Sequence, residues 1–266
     1  MDKEKLTAEF TSELSAELSA ELTADKFSEI CRLIAPSGAL RVGLYPGSPN
    51  SFIPSTTNAD HRGIGFELGQ ALANKLGIAF EPIIFKMNAE VLTAAKNGQV
   101  DFLLANATPE RAAFLAFTHP VLLIEQGYLV SSGSNIKDVE SIDLPHIRVG
   151  VSAGSTSERV LPTLLKHAKI TSVQNLKDAA NKMQSGEIDA FATNKAILFE
   201  LSDQLSDSDV VNGAWGLEKI SIGIPLARRR ALPYVQSFAD NMQTRLLIEQ
   251  AVLRAGLRGS TLGQQS

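Results

Sequence analysis

Short apolar runs alternate with helical stripes along most of this chain. Leu40 to Tyr45 is an apolar run of strand length, which predicts a buried strand. Gly65 to Leu76 follows with Phe66, Leu68, Leu72 and Leu76 at helical spacing, and Gly77 stands where a C-cap belongs. Ile78 to Phe85 predicts a second strand, Glu90 to Lys96 a helix ended by Asn97-Gly98, and Val100 to Ala105 a third strand. The same order returns further on: strand Ile147 to Val151, helix Ser157 to Lys166, strand Lys169 to Val173, helix Leu176 to Gln184, strand Ile188 to Thr193. Strand, helix, strand, helix, strand with short links reads as a parallel sheet, so the chain is α/β with two βαβαβ lobes.

The residues repeat as well as the pattern. Leu40-Arg41-Val42-Gly43-Leu44 is echoed by Ile147-Arg148-Val149-Gly150-Val151, and Asn97-Gly98-Gln99-Val100-Asp101 by Ser185-Gly186-Glu187-Ile188-Asp189. Two like lobes imply a cleft between them, and ligands of such sheets collect beyond the carboxyl ends of the strands. The strand ends are Tyr45 to Ser51, Asn106 to Arg111, Ser152 to Thr156, and Asn194. Gln126 to Ser134 reads as a strand crossing between lobes. Ile220 to Pro225 reads as the return, followed by one helix from about Leu232 to Ala255. Lobe 1 is then discontinuous, 38–126 with 221–266, and lobe 2 is 127–220, joined by a two-strand hinge.

Residues 1–37 break the pattern. A four-residue unit places Leu14, Leu18 and Leu22 on one narrow stripe, readable as a tether or as a solvated leader. Pro36-Ser37-Gly38 marks the expected start of the folded body.

The 266 residues are 44% hydrophobic with a formal net charge of -4, which speaks against a general nucleic-acid binder. Cys31 is the one cysteine, so an internal disulfide and a thiolate metal cage are excluded. His61, His119, His146 and His167 are scattered, and neither a metal nor a cofactor is expected. No apolar run spans a membrane, and the N-terminus lacks the pattern of an export signal, which leaves a cytoplasmic location open.

Several residues at the strand ends could carry chemistry. Thr108 and Pro109 suit the N-cap and first turn of a short helix, which puts Arg111 in that turn, where a guanidinium can grip a carboxylate or phosphate bidentately. A surface arginine paired with Glu110 or Asp101 is equally open on spacing. Gly154-Ser155-Thr156 opens the next helix as an anion-accepting turn or an ordinary cap. Asn88, Phe52 and Asn106 are further candidates for the first lobe's wall. Gly150-Val151-Ser152-Ala153-Gly154 matches a nucleophile elbow, but only His167 follows it and the match reads as accidental. Arg228-Arg229-Arg230 reads as a solvated turn. Trp215 is core by default, with the cleft as its sharper role.

These motifs, in this order from about Gly38 to Leu257, resemble the family 3 extracellular solute-binding proteins, the receptors of amino-acid-type ABC importers. The carriers include Gly63-Ile64-Gly65-Phe66-Glu67-Leu68, Thr108-Pro109-Glu110-Arg111 and Phe117-Thr118-His119-Pro120. The resemblance implies the type II periplasmic-binding-protein fold and a monomer without enzymatic activity. It further implies a site outside the cytoplasm and a small amino-acid-like or carboxylate ligand handed to an ABC permease. It assigns Arg111 to the ligand carboxylate, with help from Gly154, Ser155 and Thr156. The family's ammonium-binding aspartate falls at Asn194, which is neutral, and this turns the expectation toward a carboxylate without a free amine or a differently oriented polar solute. Two other readings stay open: a cyclohexadienyl dehydratase-like enzyme, for which Glu110 and Glu125 are the candidate acids, and a sensory module.

Overall fold

The computed structural model of this chain describes residues 24–46, 48–55 and 61–263. Helix α1 (Ala24–Ile34) comes first. Ile34 is buried, and Phe27, Ile30, Cys31 and Leu33 pack against the largest core cluster. The folded body therefore begins before the Pro36-Ser37-Gly38 break. The Leu14, Leu18 and Leu22 stripe lies outside the described residues.

The first βαβαβ unit is β1 (Ala39–Leu44), α2 (Ile64–Leu76), β2 (Ala79–Ile84), α3 (Asn88–Lys96) and β3 (Leu103–Asn106). β1 and β2 are parallel in register Ala39 to Ala79. The third strand starts later than the apolar run suggests. Asp101 and Phe102 donate their backbone N–H to the Arg41 carbonyl, and a single bridge from Val42 to Phe102 ties β1 to this stretch. Next come the short helix α4 (Pro109–Ala112), β4 (Leu115–Phe117) and the long strand β5 (Leu122–Ser131).

The second unit is β6 (Arg148–Ser152), α5 (Thr156–Leu164), β7 (Lys169–Val173), α6 (Leu176–Gln184) and β8 (Ala190–Asn194). β6 lies parallel to both β7 and β8. α7 (Lys195–Gln204), β9 (Ser208–Val210) and β10 (Gly216–Pro225) follow, then a 3-10 turn, Leu226–Ala231. The helix expected over Leu232 to Ala255 is two: α8 (Leu232–Asp240) and α9 (Met242–Arg254). Asn241 is extended (ψ 135°) and its side chain accepts from the Gln243 amide, so a capping residue inside the apolar period starts a new helix. β11 (Ser260–Leu262) closes the described chain.

β5 and β10 are the strands that join the two units. Leu122 to Gln126 of β5 pair with β10, while Gln126 to Val130 pair with β8. β10 pairs with β5 through Gly216 to Ile220 and with β3 through Ile220 to Gly223. The fold is the expected α/β architecture, two lobes on a shared pair of crossing strands. Each lobe buries both faces of its sheet. Tyr128 and Val130 of β5 enter one cluster with Val149, Val151 and Leu161, and Leu129 between them enters another with Phe191, Met183 and Leu198. In the first lobe Leu104 and Leu103 divide in the same way. This period-2 alternation fixes which residues are left to face the cleft.

Candidate ligand cavity

Strands β1, β3, β6 and β8 end on one cavity of about 330 Å³. Tyr45 and Pro46 line it beyond β1, Asn106 ends β3, Ser152 ends β6, and Asn194 ends β8. Helix starts fill the gaps: Asn88 at α3, Arg111 on α4, and Ser155 and Thr156 at α5.

Arg111 reaches the cavity because α4 is built as the sequence suggests. Thr108 is its N-cap, with the hydroxyl accepting from the Arg111 amide at 3.4 Å, and Pro109 sits in the first turn. Arg111 is 7% exposed, and its guanidinium donates to the Asn106 carbonyl at 3.0 Å. It pairs with neither Glu110 nor Asp101: Glu110 binds Arg159 at 2.7 Å and Asp101 is held by Arg41 and Arg228. Burial pulls the Arg111 pKa down, while the negative charge of Glu218 pulls it back up. A guanidinium has five donors, so this one keeps capacity for a planar anion.

The two strand-end asparagines have parallel jobs. Asn106 Oδ1 accepts from the Lys219 amide at 3.0 Å, and its Nδ2 donates to Thr156 Oγ1 at 3.2 Å, bridging the lobes. Asn194 Oδ1 accepts from the Ile197 amide at 3.1 Å, capping α7, and its Nδ2 donates to Glu218 Oε2 at 2.9 Å.

Glu218, on β10, was not among the residues singled out from sequence. Burial raises its carboxyl above the usual glutamate range; hydrogen bonds from Asn194 and Thr156 and the charge of Arg111 act the other way. Tyr45 faces the same two charges, and burial raises its phenol pKa. The cavity thus holds a buried cation, a half-buried acid and a phenol, with amide and hydroxyl groups beside them. The sequence carries a signal for Glu218: residues 218, 220, 222 and 224 share one face of β10, and three of them are isoleucine. A glutamate in register with three isoleucines marks a place where the apolar face opens onto a polar site.

The other candidates are placed differently. The Gly154-Ser155-Thr156 turn is largely closed by its own helix. The Gly154 amide donates to Glu158 Oε2 at 2.7 Å, and Ser155 Oγ accepts from the Glu158 amide at 3.2 Å. Thr156 is the member tied to Asn106 and Glu218. Phe52 does not line the cavity. It is 3% exposed and packs against His61 and Phe66 at ring distances of 5.1 and 5.6 Å. Trp215 also stays outside, donating its indole N–H to the Gly127 carbonyl at 3.0 Å beside Tyr128. Ser152 lines the cavity, but His167 precedes β7, which runs parallel to β6, so it stands at the opposite end of the sheet beside Asp143. Nothing there assembles a nucleophile and its base. Arg228 is not a solvated turn residue: it donates to Asp101 and to the Ile34 carbonyl.

Comparison with known proteins agrees with this geometry. The model of the bacterial extracellular solute-binding proteins, family 3, matches residues 40–194. The ABC transporter glutamine-binding protein GlnH of Bacillus subtilis (strain 168) is 31% identical over 111 residues, 41% of this chain and 40% of that protein. The glutamine-binding protein of Geobacillus stearothermophilus is 23% identical over 60% of this chain and 63% of its own length. The alignments therefore span less than two thirds of either relative. Among solved structures, an ancestral amino acid-binding protein, a precursor of cyclohexadienyl dehydratase, superposes with a TM-score of 0.70 at 25% identity, covering 86% of this chain and 98% of that one. A solute receptor for L-cysteine of Neisseria gonorrhoeae gives a TM-score of 0.74 at 21% identity, over 86% and 94% of the two chains.

Proposed function

The chain belongs to the bacterial extracellular solute-binding proteins, family 3, and from that membership we propose that it is a receptor that closes two lobes on a small carboxylate-bearing solute and hands it to an ABC permease. The proposed lobes are 38–126 with 221–266, and 127–220. The observation that carries the reading is Arg111, 7% exposed on the wall of a cavity to which the strand ends of both units contribute. A ligand carboxylate there gains a bidentate, charge-assisted contact that bulk water does not compete for. Contacts that exist only with both lobes on the ligand shift the population toward the closed form. The named relatives bind glutamine, and the named structural neighbours include amino acid and cysteine receptors, which supports an amino-acid-type ligand. Among the described residues no helix is long and apolar enough to cross a membrane; a site of action outside the cytoplasm is the reading the family description supports.

The test is a thermal-shift screen of amino acids, organic acids and polyamines on the wild type and Arg111→Ala. A carboxylate ligand should raise the wild-type melting temperature and leave the variant unmoved, with the two melts similar in its absence. Equal stabilisation of both proteins would remove Arg111 from the binding role.

One observation favours a second reading, acid-catalysed elimination of the cyclohexadienyl dehydratase kind. A carboxyl with a raised pKa does line the cavity, at Glu218. The acids first considered do not serve: Glu110 and Glu125 are taken by Arg159 and Lys195 at the surface. Aromatic product formed from prephenate or arogenate, and lost in Glu218→Gln, would establish it. No turnover would leave the receptor.

A further inference from the structure

Arg111 and Glu218 both line the cavity and influence one another's ionisation, yet no ion pair joins them among the described residues. Their nearest bonded partners are instead the Asn106 carbonyl for Arg111 and the Asn194 amide for Glu218. An arginine and a glutamate that both line this 330 Å³ cavity without bonding to each other make a polarised site, with Lys86 and Lys177 also on its wall.

We propose that Glu218, positioned by Asn194, is the cation-binding subsite of this cavity, so that the solute carries an ammonium group as well as a carboxylate. The inference rests on the receptor reading and narrows it. A simple organic acid would pair with Arg111 and leave the half-buried Glu218 with no cation bonded to it, which is costly. A zwitterion satisfies both ends at once. Its ammonium, with three donors, has an acceptor in Glu218.

The identity of residue 194 now has a reason. Its side chain accepts from the Ile197 amide and donates to Glu218, which an amide does and an ionised aspartate cannot. An aspartate there would set two carboxylates at hydrogen-bond distance. The negative charge has moved from the end of β8 to the hinge strand β10, and the neutral residue at 194 no longer argues against an amine on the ligand.

The experiment is calorimetric titration with the twenty L-amino acids, the matching deamino acids and the matching amines. The proteins are wild type, Glu218→Gln, and the double variant Asn194→Asp/Glu218→Gln. Wild type should prefer an amino acid to its deamino partner by roughly 100-fold. Glu218→Gln should lose roughly 10- to 100-fold for the amino acid and narrow that preference, the range expected for a lost charge-assisted bond. Its melt without ligand should stay cooperative, so that the loss of affinity is read on a folded protein. The double variant should recover most of the affinity, since it restores a carboxylate at the end of β8. The charged and titratable groups that share the cavity with Glu218 are Arg111 from α4, Tyr45 beyond β1, Lys86 before α3 and Lys177 of α6. With Arg111 charged throughout, acidification should weaken amino-acid binding as Glu218 takes up its proton, and this loss should be absent in Glu218→Gln. Unchanged discrimination in Glu218→Gln would overturn the subsite. Equal wild-type affinity for acid and amino acid would overturn the subsite and leave the receptor. No binding by any of the three classes would overturn both.

Discussion

Arg41 and Arg148 open the two echoed strands, β1 and β6, and each reaches the aspartate that ends the later echo of its own lobe. The bonding is nearly the same. Arg41 donates Nε and Nη2 to Asp101 at 3.0 and 2.7 Å, and Arg148 donates the same atoms to Asp189 at 2.8 Å each; both backbone amides join in. The surroundings differ. Asp101 is fully buried and receives a second arginine, Arg228, which also holds the Ile34 carbonyl at the end of α1. Asp189 keeps 32% of its side chain exposed. The repeated motif thus supplies the bond in both lobes, while segments outside the repeat, α1 and the 3-10 turn over Leu226–Ala231, decide how deeply it is buried and how much it matters.

Asp101→Asn breaks this comparison most strongly. It leaves two arginines beside a buried, neutral side chain, a change that costs about 3–5 kcal/mol when one partner of a buried ionic group is removed. A denaturant midpoint well below wild type, with the transition slope unchanged, is the expected outcome. A midpoint within error of wild type would mean that the network contributes little and that burial is not what separates the lobes.

The glycines inside the echo sharpen it next. Neither Gly43 nor Gly150 has a positive φ, so their requirement is for space. A Cβ on Gly43 would stand 2.8 Å from Val91 Cγ1 and 3.2 Å from Val100 Cγ1, two branched side chains that are stiff at χ1. A Cβ on Gly150 would stand 2.5 Å from Ile188 Cδ1, the far end of a side chain that can turn away. Overpacking costs typically about 1–3 kcal/mol. Gly43→Ala is expected toward the upper part of that range and Gly150→Ala toward the lower, measured by paired denaturant titrations. The reverse order would show that the second lobe is the more tightly packed.

Legibility in the sequence follows the same division between repeat and surroundings. β7 and α6 stand at the bounds their periodicity indicates, and the strand ends, with Asn106, Arg111 and Asn194, line the cavity because period and turn chemistry are local. Arg228 was unreadable because its partner Asp101 lies 127 residues away. α7 was missed because Ala196, Ile197, Leu198 and Leu201 bury most of its circumference, so a short apolar stretch shows no clear stripe. Glu218 falls outside the strand legible in the sequence, because the unbroken apolar alternation begins at Ile220 while the pairing with β5 runs back to Gly216. Phe52, a candidate for the wall, is drawn into the core by aromatic contacts with His61 and Phe66 that lie beyond any local pattern.

Asp189→Asn tests the exposed side of the comparison and has the smallest expected effect. Hydrogen bonds from Arg148 hold the Asp189 carboxyl below the usual aspartate range, while partial burial opposes them. A folded-state pKa below the unfolded one adds stability that is complete above the unfolded pKa and fades as pH falls through the folded one. The brace should therefore act fully at neutral pH and disappear in acid. Water screens an exposed pair, so the substitution should lower the melting temperature at pH 7 by no more than about 2 °C. The gap to wild type should close on acidification below the usual aspartate pKa. A loss as large as that of Asp101→Asn would show that the bond itself, and not its burial, carries the stability of both lobes.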